Sequence, residues 1–175
     1  MAHDETRLLI DALLFENGHL RRTQHILKVY ALTKAIGQAQ RLNVQEQRIV
    51  QAAAILHDIA IGPCKQKYGD AEPQHQQQEA PALVWQFLDR AGYSECDWPR
   101  IVELVEKHHE YDEIDGPDFQ TLVEADLIAN VYESDDACAK AKEVQPLFQT
   151  ATGKALLKAI IAHLQSLEDD DDTDE

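Results

Sequence analysis

The segment Gln51-Ala-Ala-Ala-Ile-Leu-His-Asp-Ile-Ala60 constrains the fold of this chain more than any other stretch. It is a helix-forming apolar run that belongs in a core, yet it carries a histidine and a carboxylate at its end. An unpaired buried charge is expensive, and a metal ion is one of the few partners that makes it tolerable. The dipeptide alone is weak evidence. With 8 histidines and 17 aspartates in 175 residues, about one His-Asp pair arises by chance. His3-Asp4, in a polar N-terminus, is such a copy. The weight rests on the position of His57-Asp58 and on what accompanies it.

Apolar residues recur at three- and four-residue spacing along nearly the whole chain, and no segment shows sustained strand alternation. The pattern predicts an all-α, single-domain fold of about seven or eight helices. They are expected over 5–17, 19–41, 44–59, 81–91, 99–109, 117–132, 136–148 and 153–167. Gly18, Asn43 and Gly92 suit helix ends, Pro99 and Pro117 suit first turns, and Gly62-Pro63 is read as stopping the third helix. The Gln-rich segment 62–78 is expected to be a long polar loop. Residues 1–167 form the expected helical domain. The block 168–175 (EDDDDTDE) is expected to be a disordered acidic tail.

The net charge of −16 argues against a nucleic-acid backbone as partner, since phosphate binding requires clustered Lys and Arg. Taking away the seven acids of the tail leaves −9, so an anionic substrate needs a local positive centre. No stretch approaches the roughly 20 apolar residues of a membrane span, and no signal-peptide pattern opens the chain. Cys64, Cys96 and Cys138 form no CxxC or zinc-finger pattern, and a reduced cytoplasmic location is the simplest reading. Oligomeric state leaves no signal.

Helical phase indicates which polar residues point inward. His25 shares a face with Val29, Leu32 and Ile36. His57 follows Val50, Ala53 and Ala54, and Asp58 is close enough to share its site. Asp126 has Leu122, Val123 and Ala129 as neighbours. His108 continues the stripe Trp98, Ile101 and Val105, whereas His109 falls at its edge. A lone histidine on an apolar face is more often a hydrogen-bonded core residue than a ligand. Two imidazoles and two carboxylates on three helices form a mixed N/O set suited to Mn, Fe, Co or Mg.

The order His25, His57-Asp58, His75, His108, Asp126 resembles the HD-domain superfamily of metal-dependent phosphohydrolases. The resemblance spans about residues 24–132 and includes Val-Glu-Ala-Asp-Leu-Ile-Ala-Asn around Asp126. It implies an HD-type helical bundle in which His25, His57, Asp58 and Asp126 hold one divalent first-row metal. The intervening histidines are similar to those of the dinuclear branch, which implies a second ion held by His75, His108 and Asp58. Asp58 then serves as the catalytic residue, ligating both ions and orienting the attacking water. His109 and Glu79 are candidates for a ligand or for a residue supporting one. The expected substrate is a small phosphorylated molecule, a nucleotide foremost. Two departures stand out: no Gly-Tyr-Pro follows His108-His109-Glu110, and Glu79 replaces the small residue usual one turn after His75.

Lys65, Lys67 and Arg22 (or its neighbour Arg21) are candidate phosphate contacts, with solvated surface charge as the alternative. The resemblance leaves two rivals to hydrolysis: a di-iron oxygenase of the same fold, and a non-catalytic ligand-binding module.

Overall fold

The fold is organised around a helix that touches solvent on almost no side. In the computed structural model, which describes residues 4–171, every residue from Asp118 to Ala129 is buried. Among the described residues this helix is the seventh of nine α-helices: α1 (Glu5–Phe15), α2 (Leu20–Ala39), α3 (Val44–Leu56), α4 (Ile61–Tyr68), α5 (Pro73–Arg90), α6 (Trp98–Lys107), α7 (Pro117–Tyr132), α8 (Ala137–Val144) and α9 (Ala151–Asp171). No strand occurs among the described residues, and the helices form one all-α domain. None of them is long and apolar enough to cross a membrane.

α7 and α3 supply the centre. From Ile49 to Leu56 α3 is buried throughout, and its alanines let neighbouring helices approach closely. α2 packs along both α3 and α7, α6 packs on α3 and α5, and α8 and α9 cover the remaining side of α7. Phe119, Leu122, Leu127 and Ile128 are at most 2% exposed, each contributing about 1.5–3 kcal/mol by burial.

A central helix must also satisfy its polar side chains. Thr121 donates to the Pro117 carbonyl at 2.7 Å. Glu124 accepts from the backbone N–H groups of Gln149 and Thr150 at 2.6 and 2.8 Å, and from Gln120 Nε2 at 2.9 Å. A carboxylate is thereby set against the start of α9, where unpaired amides favour negative charge.

The segment expected to be a loop is mostly helical, and this corrects the sequence reading. α3 ends at Leu56, so His57-Asp58 lies in the turn between α3 and α4. Gly62 and Pro63 fall in the first turn of α4 and do not terminate a helix. There the missing proline N–H costs nothing, because first-turn amides have no helical partner. Gly69, at φ 85°, closes α4 in the left-handed conformation. Pro73 then opens α5 at its first position, and Pro81, expected as a helix start, lies inside it. Polarity was mistaken for irregularity: glutamine is a good helix former, and Pro73 carried the start signal.

The His3-Asp4 copy has an ordinary use, since Asp4 caps α1 by accepting from the Arg7 N–H at 2.9 Å. His3 lies outside the described residues. α9 continues to Asp171, inside the acidic block, and residues 172–175 lie outside the described residues.

Candidate metal centre

Six side chains, His25 from α2, Asp126 from α7, His57 and Asp58 from the turn after α3, and His108 and His109 from the turn after α6, meet between the ends of α3 and α6. His57 and His108 are the C-terminal caps of these two helices. A helix end leaves free carbonyls, and both histidines use one. His57 Nδ1 donates to the Ala54 carbonyl at 2.8 Å and His108 Nδ1 to the Val105 carbonyl at 2.7 Å. A carbonyl only accepts, so the neutral form of each ring carries its proton on Nδ1 and presents the Nε2 lone pair.

These atoms converge on other potential ligand atoms. His57 Nε2 is 3.1 Å from His25 Nε2, 3.5 Å from Asp58 Oδ2 and 3.7 Å from Asp126 Oδ1. His25 Nε2 lies 3.1 Å from Asp126 Oδ1 and 3.7 Å from Asp58 Oδ2. On the other side, His108 Nε2 stands 3.7 Å from Asp58 Oδ1 and, although buried, has no hydrogen-bond partner. His109 completes a second group of potential ligands with Asp58 and His108. Asp58 therefore belongs to both groups.

The spacing matches a coordination shell. Ligands about 2.1 Å from one ion are roughly 3.0 Å apart at octahedral angles and 3.4 Å at tetrahedral ones. Two carboxylates and several ring nitrogens converge with only the His25 proton between them, and one buried nitrogen, His108 Nε2, is left orphaned, which a cation standing among them would satisfy. The residues present thus fit a divalent metal.

Electrostatics agree. Burial opposes a charge on His25, but the hydrogen bond to Asp126 and the charges of Asp126, Asp58 and Glu133 outweigh it and lift its pKa to about 9. Asp126 is driven the other way: burial favours its neutral form, yet the His25 hydrogen bond and the nearby imidazoles hold its carboxyl well below the usual range. Burial, reinforced by His57, lowers the pKa of His108, which keeps it a neutral imidazole suited to ligation.

Other candidates lie elsewhere. His75, on α5, pairs with Asp70 at 2.6 Å and stacks on the Tyr68 ring at 4.1 Å. Glu79 accepts from Lys67 at 2.6 Å and from Tyr68 at 2.7 Å. Neither joins a ligand group among the described residues, whereas His109 does.

A pocket of about 250 Å³ opens onto His25 and Asp58, with Arg21, Arg22 and Lys65 on its walls. Lys67 is not among its lining residues. Arg22 is ion-paired with the buried Glu16. Lys65 is exposed and forms no ion pair among the described residues.

Two contributors escaped the sequence reading. Glu133 holds His25 Nδ1 at 3.2 Å, and Asn130 donates to Asp126 Oδ1 at 3.1 Å. The spacing Asp126, Asn130, Glu133 places all three on one helical face, which was the available signal.

A family model described as HD domain matches residues 22–146. No curated protein and no solved structure matched the chain.

Proposed function

Because this chain belongs to the HD-domain family, we propose that it is a metal-dependent phosphohydrolase acting on a nucleotide or another small phosphate ester. The observation that carries the reading is the orphaned, buried His108 Nε2 aimed at Asp58. It supports a centre in which His25, His57, Asp58 and Asp126 would hold one ion and Asp58, His108 and His109 would hold a second. Divalent ions in such sites lower the pKa of water and neutralise charge on a phosphoryl group.

The chain's own residues do the rest. Asp58, with one oxygen toward each group, orients the attacking water between them. Lys65 and Arg21 meet the phosphate in the pocket, where the field of an otherwise acidic protein is locally reversed.

The test is metal content of the purified protein followed by phosphate release across a panel of nucleotides and sugar phosphates. Release that stops with a chelator and returns with Mn, Fe, Co or Mg supports the proposal. Failure to bind any of these divalent metals, or oxygen consumption without phosphate release, overturns it.

A further inference from the structure

The three buried imidazoles of the centre are held by two kinds of anchor, and the reason lies in their places along the helices. His57 and His108 end their helices and use the carbonyls left free there, those of Ala54 and Val105. His25 is the sixth residue of the twenty-residue α2, where the backbone carbonyls are consumed by the helix itself. No backbone acceptor is at hand, so its Nδ1 needs a side chain from elsewhere.

Glu133, the C-terminal cap of α7, supplies it. Its Oε1 lies 3.2 Å from His25 Nδ1 and 3.0 Å from Lys28 Nζ, and its Oε2 lies 3.7 Å from Arg21 Nε. Arg21, His25 and Lys28 stand at i−4, i and i+3, a single row on α2. The carboxylate side chain is only 11% exposed and is held from both flanks.

We infer that Glu133 is the positioning residue of the first metal site: it fixes the proton of His25 on Nδ1 and aims Nε2 at the ion. Partners of this type orient a ligating histidine and raise its basicity, and their loss typically weakens metal binding by roughly 10–100-fold. The inference rests on the metal-centre reading above. It adds a residue that lines the pocket but is not among the proposed metal ligands.

The test is titration of the full chain with Co²⁺ and Mn²⁺, comparing wild type, Glu133→Ala and Glu133→Gln, with circular dichroism to verify the fold. Glu133→Ala is expected to weaken the first site by roughly 10–100-fold and to alter the visible Co²⁺ bands. Glu133→Gln, whose amide oxygen still accepts from Nδ1, is expected to recover the wild-type band shape and most of the affinity. Wild-type affinity and spectrum in a folded Glu133→Ala protein overturn the inference, as does a Gln variant as impaired as Ala. Wild-type protein that takes up no metal instead sinks the metal-centre reading itself, and the inference with it.

Discussion

Asp58 Oδ1 stands 3.7 Å from His108 Nε2, while its other oxygen faces His57 and His25 at 3.5 and 3.7 Å. One carboxylate thus borders two groups of nitrogen donors. It occupies the turn after α3, where its direction is set by the chain leaving one helix and entering the next.

Removal of this carboxylate is the sharpest prediction. Asp58→Ala is expected to lose both metals and to cut turnover by roughly 10³-fold or more, as when a transition-state charge stabiliser is deleted. His109→Ala is expected to lose one equivalent, and His75→Ala none. Elemental analysis of the three variants checks all of this, and two metals retained in His109→Ala would refute the second site.

Metal uptake is expected to depend on pH through His25. Its pKa of about 9 lies above the ordinary value of 6.5, so its proton stabilises the metal-free fold. That contribution is complete below pH 6.5 and is lost as pH rises through about 9. A metal must displace the same proton, so affinity at the first site should rise about tenfold per pH unit until that range and then level. Calorimetry in buffers of different ionisation enthalpy should detect close to one proton released at pH 7.

The pocket cations are not equivalent. Lys65→Ala should raise KM roughly tenfold, on the scale of one charge-assisted hydrogen bond, with metal content unchanged. Arg22→Ala should chiefly lower stability, because buried Glu16 loses its partner. Lys67→Ala, with its charge engaged by Glu79 outside the pocket, should leave KM within about twofold of wild type. Steady-state kinetics beside thermal melts separates the three.

Gly153→Ala is expected to destabilise the fold without touching the site. A Cβ there would overlap the Glu124 carboxylate, 2.8 Å from its Cδ, and would press on Thr150 Oγ1 at 3.0 Å. Overpacking of this kind costs about 1–3 kcal/mol. For a chain of this size each kcal/mol lowers Tm by about 2–4 °C. Urea unfolding and a melt give the answer, and an unchanged Tm would refute the buried Glu124 cap.

Periodicity and a few markers made much of the protein legible. The helical class follows from apolar spacing, because a helix must bury one face whatever it packs against. The inward direction of His25, Asp126 and His108 follows from the same phase. Asn43, read as a helix end, forms a capping box with Glu46. The segment 62–78 misled because polar composition reports exposure, not backbone conformation, and an exposed helix such as α4 is as polar as a loop.

Sequence alone determined which residues have the chemistry to ligate a metal and that most of them turn inward, since residue type and helical phase are local properties. Only the tertiary structure decided which of them meet. In one dimension the resemblance favours His75 as a ligand and leaves His109 at the edge of its helix face. Where α5 sets His75 against Tyr68 and Asp70, and where the end of α6 sets His109 beside Asp58, depends on how helices far apart in the chain pack. Glu133 shows the same division: its contact with His25 joins positions 108 residues apart, a pairing that only the packing of α7 on α2 creates.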